Sequence, residues 1–397
     1  MAQSLPFLDL DSPEFSTRSE EIVTARKHHW CAQSPFGYAI LRHREAGLLL
    51  RDKRLRQGSH NWPNTLGLTG SFAEFWCRSL ISQEGDMHRT LRSIAVPALA
   101  PDFIESLKPA FEASATLLAK ELAARGRCEF MADFASVYSG HAICILLGLP
   151  LDEWQFVSGN ASELGLAMGV NGKAYESRFN TATDNLMALA HTLVARARSG
   201  EDRSGFVARL VNQFDEAELE DQQALYDLIV ISIFGGVDTT RSQLGFAMAL
   251  FADHPEQWTL LRANPELVSN AVEEILRAWP TTTWVTRQAI EDFCFQDVTF
   301  EKNTILHILA HATSRDPAVC DNAAFDITRE KKIHFGFGGG AHHCLGHLVA
   351  RTDIACGLLA LAEEVREIHF DGQAKWMPDS GNTSPIHLPL RLASDQA

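Results

Sequence analysis

No C-x-x-C pair occurs among the 8 cysteines of this 397-residue chain. That disfavours zinc ribbons and dithiol redox motifs. Cys31, Cys77, Cys128, Cys144, Cys294, Cys320, Cys344 and Cys356 are scattered along the chain, which fits a reducing compartment better than a disulfide framework. Basic residues are also scarce. The 35 Lys and Arg face 50 Asp and Glu, for a net charge of -15. Such a chain has no general attraction for nucleic acid or an anionic membrane surface, and docking to an acidic protein needs a local basic patch. Residues 1–15 lack a basic segment followed by an apolar one, and contain no spanning helix. No internal repeat, low-complexity tract or Pro/Gly/Ser-rich linker divides the sequence. The expectation is one soluble, cytoplasmic domain over residues 1–397, mainly α with small β-sheets.

The hydrophobic share of 46% is that of an ordinary globular protein. The most informative stretch is 334–351, His-Phe-Gly-Phe-Gly-Gly-Gly-Ala-His-His-Cys-Leu-Gly-His-Leu-Val-Ala-Arg. A glycine-dense loop runs into Cys344, and apolar periodicity over 345–361 predicts a helix. Cys344 is thus expected at or just before a helix N-terminus, where free N–H groups and the dipole favour an anion. A thiolate held there suits a metal ligand. The alternative for a single cysteine is a small buried hydrophobe. Glycines at 336, 338, 339, 340 and 346 suit a backbone with unusual φ values or one lying against a flat ligand.

The spacing Phe337-Gly338-x-Gly340-x-His342-x-Cys344-x-Gly346 resembles, without a gap, the haem-binding loop of the cytochrome P-450 family. The resemblance implies that fold, haem b (iron protoporphyrin IX) as cofactor, and the Cys344 thiolate as fifth iron ligand, where its electron donation favours O–O cleavage. It places Phe337, His342 and Gly346 against the haem. The rest of the chain supplies further matches, in the family's order.

Residues 223–253 read as a helix apolar on most sides, hence central and buried. In its middle lie Gly235-Gly236-Val237-Asp238-Thr239-Thr240. Each interior Gly costs about 1 kcal/mol relative to Ala, and the adjacent acid and alcohols must be paired. A rule broken so heavily points to function. A break between two helices capped by Asp238 is the competing reading. The run resembles the family's oxygen-activation motif, in which the glycine pair, Gly235 included, widens the groove for dioxygen and Asp238 and Thr239 relay protons.

His88 and Arg92 are four apart, so they share one helix face. Such a pair is more often a solvated face, but the resemblance assigns both to the haem propionates, with Arg287 on the strand after Pro280 as a third partner. Glu274 and Arg277, three apart, read as a surface ion pair or, by resemblance, as a structural network completed by Arg329. Aromatics between Arg56 and Ser82 form either core under a long loop or the substrate-contacting cover. Trp76, Phe234, Trp284 and Ile386 are the candidate apolar pocket residues, with Thr282, Thr283 and Ser384 for polar groups. Residues 159–179 are a candidate mobile cover. Residues 293–309 read as a hairpin with Lys302-Asn303 as its turn, where Asn tolerates the left-handed conformation. Three departures from the family pattern, Asn303 in place of the usual Gly, Ser314 and Asp353, leave the chemistry untouched.

The implied activity is monooxygenation of an apolar small molecule, as in bacterial secondary metabolism. Electrons come from NAD(P)H through a ferredoxin- or flavodoxin-type partner, since this chain carries no flavin or iron–sulfur segment. Arg89, Lys331 and Lys332 are the candidate docking patch. The alternatives are a peroxide-driven haem enzyme and a non-enzymatic haem sensor. The intact Asp238-Thr239 pair argues against both.

Overall fold

In a computed structural model, which describes residues 4–168, 172–330 and 334–394, helices dominate and the strands are short. The chain divides into two compact units, each built from three separated segments. One comprises Met1–Ser59, Gly245–Cys344 and Ile368–Leu388; the other comprises His60–Leu244, Leu345–Glu367 and Pro389–Ala397. No helix among the described residues is long and apolar enough to cross a membrane.

The first unit is built around a five-stranded sheet, ordered Cys31–Ser34, Gly37–Ile40, Ile305–Leu309, Trp284–Ala289, Leu55–Gln57. Its neighbours are antiparallel except Gly37–Ile40 beside Ile305–Leu309, which run parallel. β-Branched and aromatic residues after Pro280 supply the expected strand. Asn303 takes φ 73, the left-handed turn residue foreseen for that place. The hairpin expected over 293–309 is different in detail. Phe293–Phe295 pairs with Val298–Phe300 about a tighter turn, and Ile305–Leu309 pairs instead with Trp284–Ala289.

The second unit is helical. Its core joins Phe72, Trp76, Leu91, Ile143, Leu186, Phe206, Leu228 and Ile233, all buried. Pro101–Arg125 begins with Pro at its first position and stops at Gly126, whose φ of 67 closes the helix C-terminus. The apolar run from Gln223 forms one helix, Gln223–Asp253, so the capped break at Asp238 does not occur. Residues 56–82 are not a long loop. They hold helices Trp62–Thr65 and Ser71–Arg78, with Phe72, Phe75 and Trp76 on the buried face of the second. Within 159–179, helix Trp154–Gly165 and the start of Glu176–Ser199 replace most of the expected cover; residues 169–171 lie outside the described set.

Two buried histidines in the first unit set an acid limit. Burial pushes His307 down to about 4, and holds His311 well below its ordinary value. Both are therefore neutral when folded at pH 7. A group depressed on folding contributes stability that is complete above its unfolded value near 6.5 and is lost as pH falls through the folded one. The urea midpoint is expected to fall between about pH 6.5 and 4, by up to roughly 3 kcal/mol from His307. His307→Asn should flatten that slope. An unchanged slope in the variant would show that His307 does not titrate on unfolding.

Candidate functional site

The start of the cysteine loop packs against the end of helix Val268–Ala278, with Gly336 beside the Leu276 carbonyl. That helix presents Glu274 and Arg277, 4% and 2% exposed. Arg277 Nε and Nη2 each donate to a Glu274 carboxylate oxygen at 2.7 Å, and Arg329 Nε donates to the same carboxylate at 3.2 Å. The backbone N–H of Asp326 adds a fourth donor at 3.0 Å. This is a buried network and not a surface pair.

Arg287, 3% exposed, donates through Nη2 to the Gly339 carbonyl at 3.1 Å and through Nη1 to Gln57 Oε1 at 3.1 Å. It thus ties the sheet to the cysteine loop. Gly340 takes φ +69, and an added Cβ there would lie 2.0 Å from the Leu50 carbonyl oxygen, so only glycine fits. The Cys344 N–H donates to the Phe337 carbonyl at 2.9 Å. Phe337 lies 6.3 Å from the His343 ring, centroid to centroid. His342 ends a short 3-10 turn, Gly340–His342. Cys344 and its neighbours are half-buried. The helix expected from 345 begins at His347, with Gly346 as its N-cap. Cys344 therefore stands three residues before the first helical residue.

In the same unit Trp284 takes a different side from Arg287. Side chains alternate along a strand. Trp284 packs on His307 and Phe15, at 5.2 and 6.5 Å between ring centroids. On the Arg287 side it is Val285 that lies 3.9 Å from the Cβ position of Gly338. The apolar neighbour of the cysteine loop on this strand is thus Val285, not Trp284. Ile386 is 59% exposed on strand Pro385–His387. Thr283 donates to the Ser380 carbonyl and Ser384 to the Pro385 carbonyl, so both hydroxyls already have protein partners. Lys331 and Lys332 lie outside the described residues.

The second unit carries the acid and the alcohols. Thr239 Oγ1 donates to the Gly235 carbonyl at 2.6 Å, its own helix one turn back. The two glycines do different things. A Cβ at Gly235 would meet nothing within 4 Å, whereas one at Gly236 would lie 2.8 Å from Ile143 Cδ1. Gly235 leaves the helix surface open; Gly236 allows close packing on helix Ser136–Leu147. Asp238 is held from two sides, by Arg241 Nη2 at 3.2 Å and Ser162 Oγ at 3.1 Å. Thr240, one residue beyond Thr239, donates to Asp353 Oδ2 at 3.5 Å. Burial raises the Asp353 carboxyl well above the usual carboxylate range.

His88 is 3% exposed and Arg92 half-buried on helix Gly85–Ala98, on the shared face that the spacing predicts. Arg89 points outward and pairs with Asp86. Trp76, 1% exposed, meets Phe234 edge-on at 6.2 Å and Trp62 at 5.4 Å. It is a core residue that backs Phe234. Sequence reasoning missed Ser162, Arg241, Glu273 and His334. The i, i+3 spacing of Asp238 and Arg241 was the one available signal; the others act across long separations.

Each unit carries residues suited to part of a flat macrocycle with carboxylate arms. In the first, the glycine-rich loop offers a half-buried thiol and Arg287 is a donor suited to a carboxylate; in the second, Gly235 leaves its helix surface open, and His88 and Arg92 are donors of the same kind. The sequence profile of the family described as cytochrome P-450 matches residues 261–381. Luteothin monooxygenase of Streptomyces thioluteus is 33% identical, over 98% of this chain and 97% of that one. Mycinamicin IV hydroxylase/epoxidase of Micromonospora griseorubida is 29% identical, over 78% and 79%. The solved structure of CalO2 superposes with a TM-score of 0.90 at 24% identity, over 98% of this chain and 100% of that one, which speaks to the fold alone.

Proposed function

Since the chain belongs to the cytochrome P-450 family of haem-thiolate monooxygenases, we propose that Cys344 ligates the iron of haem b and that Asp238 and Thr239 form the proton relay. The observation that carries this reading is the pair of built sites, the braced glycine loop at Cys344 and the anchored Asp238-Thr239 step in an unbroken helix. Bound there, the haem activates dioxygen so that one oxygen atom enters the substrate and the other leaves as water.

The chain's own residues hold the remaining roles. His88, Arg92 and Arg287 pair the haem carboxylates; Phe337, His342 and Gly346 flank the ring on the cysteine loop. Asp238, tethered by Arg241 and Ser162, passes protons in from outside. Because Thr239 donates its hydrogen to the Gly235 carbonyl, its oxygen lone pairs are left to accept and order a proton-bearing group. Gly235 and Phe234, backed by Trp76, lie against the substrate, and Ile386 contacts it from the C-terminal strands. That substrate is an apolar secondary metabolite; the relatives named for luteothin and mycinamicin IV support the class. The domain is single, and the enzyme works in the cytoplasm.

Electrons arrive from NAD(P)H through a ferredoxin- or flavodoxin-type protein docking at Arg89, Lys331 and Lys332. Neutralising all three should slow reduction at low salt and leave substrate affinity unchanged, because steering by a basic patch is screened by salt. Equal reduction rates at low salt would remove the patch. The function itself is tested by NAD(P)H-dependent oxygen uptake with a surrogate reductase, run beside a peroxide-fed reaction. Turnover only with peroxide, or with neither, would favour one of the two alternatives.

A further inference from the structure

Helix Val268–Ala278 sends two adjacent carboxylates to different duties. Residues i and i+1 of a helix point about 100° apart, so Glu274 reaches the arginines while Glu273 reaches the start of the cysteine loop. Glu273 Oε2 lies 3.1 Å from His334 Nε2. The His334 side chain is 4% exposed and that of Glu273 16%. On the other edge of the ring, the Gly336 N–H donates to His334 Nδ1 at 3.2 Å. An imidazole nitrogen that accepts cannot carry a proton, so the proton sits on Nε2 and is donated to Glu273.

Gly336 is also confined. An added Cβ would lie 3.2 Å from His334 Nδ1, 3.3 Å from the Leu276 carbonyl and 3.5 Å from Pro280 Cβ. The backbone at this point is thus fixed against the end of the helix. From there the loop continues through two further bonds, Gly338 N–H to the Phe335 carbonyl and Cys344 N–H to the Phe337 carbonyl, each at 2.9 Å. A chain of contacts runs from Glu273 through the His334 ring and Gly336 to the backbone of Cys344 itself.

We infer that His334 is a positioning residue for the Cys344 thiolate, acting through the bond its Nδ1 accepts from Gly336 and oriented by Glu273. The inference rests on the haem-thiolate reading above. A residue that merely filled space would be replaced adequately by any side chain of similar volume. Here the two ring nitrogens have opposite requirements, an acceptor toward the loop and a donor toward the helix.

Side-chain amides separate the two. His334→Asn keeps an acceptor near the Nδ1 place and loses the reach to Glu273. His334→Gln keeps a donor near the Nε2 place and loses the acceptor. The holoenzymes are reduced under carbon monoxide, and the conversion of the thiolate Soret band to its blue-shifted, non-thiolate form is timed. A lost hydrogen bond of this kind corresponds to about tenfold in rate. His334→Gln should convert about tenfold faster than wild type, and His334→Asn within about twofold of it. Hydrogen exchange over 334–344 of the same holoenzymes should quicken in the Gln variant and stay slow in the Asn variant. If both variants match wild type, or if Asn fails as badly as Gln while remaining folded by circular dichroism, the inference is overturned. If wild type itself lacks the thiolate band, the haem-thiolate reading fails first, and the inference with it.

Discussion

Asp238→Asn is expected to slow product formation by roughly 10²–10⁴-fold, the usual contribution of a general acid–base group. Haem binding and folding should be unaffected. The amide keeps the volume and hydrogen bonds of the carboxylate but cannot take up a proton and pass it on. Its ion pair with Arg241 is also lost; that pair is partly exposed, at 29% and 28% of the two side chains, and surface pairs of this kind contribute little to stability. Thr239→Ala separates from it in kind. The hydroxyl on Gly235 orders the last proton donor, so its removal should leave NAD(P)H oxidation largely intact and divert the electrons to hydrogen peroxide. The measurement is product formed per NAD(P)H oxidised, with peroxide assayed in parallel. Wild-type coupling and rate in both variants would move the relay to Thr240, whose hydroxyl already reaches the buried Asp353.

The second large effect concerns stability. Glu274→Ala removes the one carboxylate that Arg277 and Arg329 share. Breaking a buried pair from one side leaves uncompensated charge and costs about 3–5 kcal/mol. The urea midpoint of the holoenzyme should fall accordingly, and haem loading with it, because this helix also holds the start of the cysteine loop through Glu273 and His334. Arg277→Lys should fall nearly as far, since an ammonium cannot reproduce the two parallel donors at 2.7 Å. A midpoint unchanged in both would mean the network is dispensable.

The parts legible in the sequence share a physical cause. The helix Gln223–Asp253 could be read to its ends because apolar residues cover most sides of it along its length. The turn at Asn303 was legible because few residues tolerate positive φ. The cysteine loop was legible because several glycines and one thiol have no cheaper common explanation. What was missed depends on partners far away along the chain. Ser162 reaches Asp238 across 76 residues, and His334 reaches Glu273 across 61. Nothing local in Ser162 or Glu273 distinguishes them from surface residues. Which of Trp284 and Val285 meets the cysteine loop was not legible, because alternation fixes that neighbours on a strand oppose each other but not which face is which. Residues 71–78 were read as loop because the Pro and Gly around them outweighed a short buried helix.

The claim on which the rest depends is that Cys344, of the 8 cysteines, is the iron ligand. Burial pushes Cys31, Cys128, Cys144 and Cys356 up to about 12, so none of these is a thiolate at neutral pH in the folded chain. The direct measurement is the absorption spectrum of the reduced protein under carbon monoxide, for wild type and for each cysteine replaced by alanine in turn. The account predicts a red-shifted Soret band of a thiolate ligand in wild type and in every variant except Cys344→Ala, which alone loses it. A band that survives Cys344→Ala and disappears with another cysteine would contradict it.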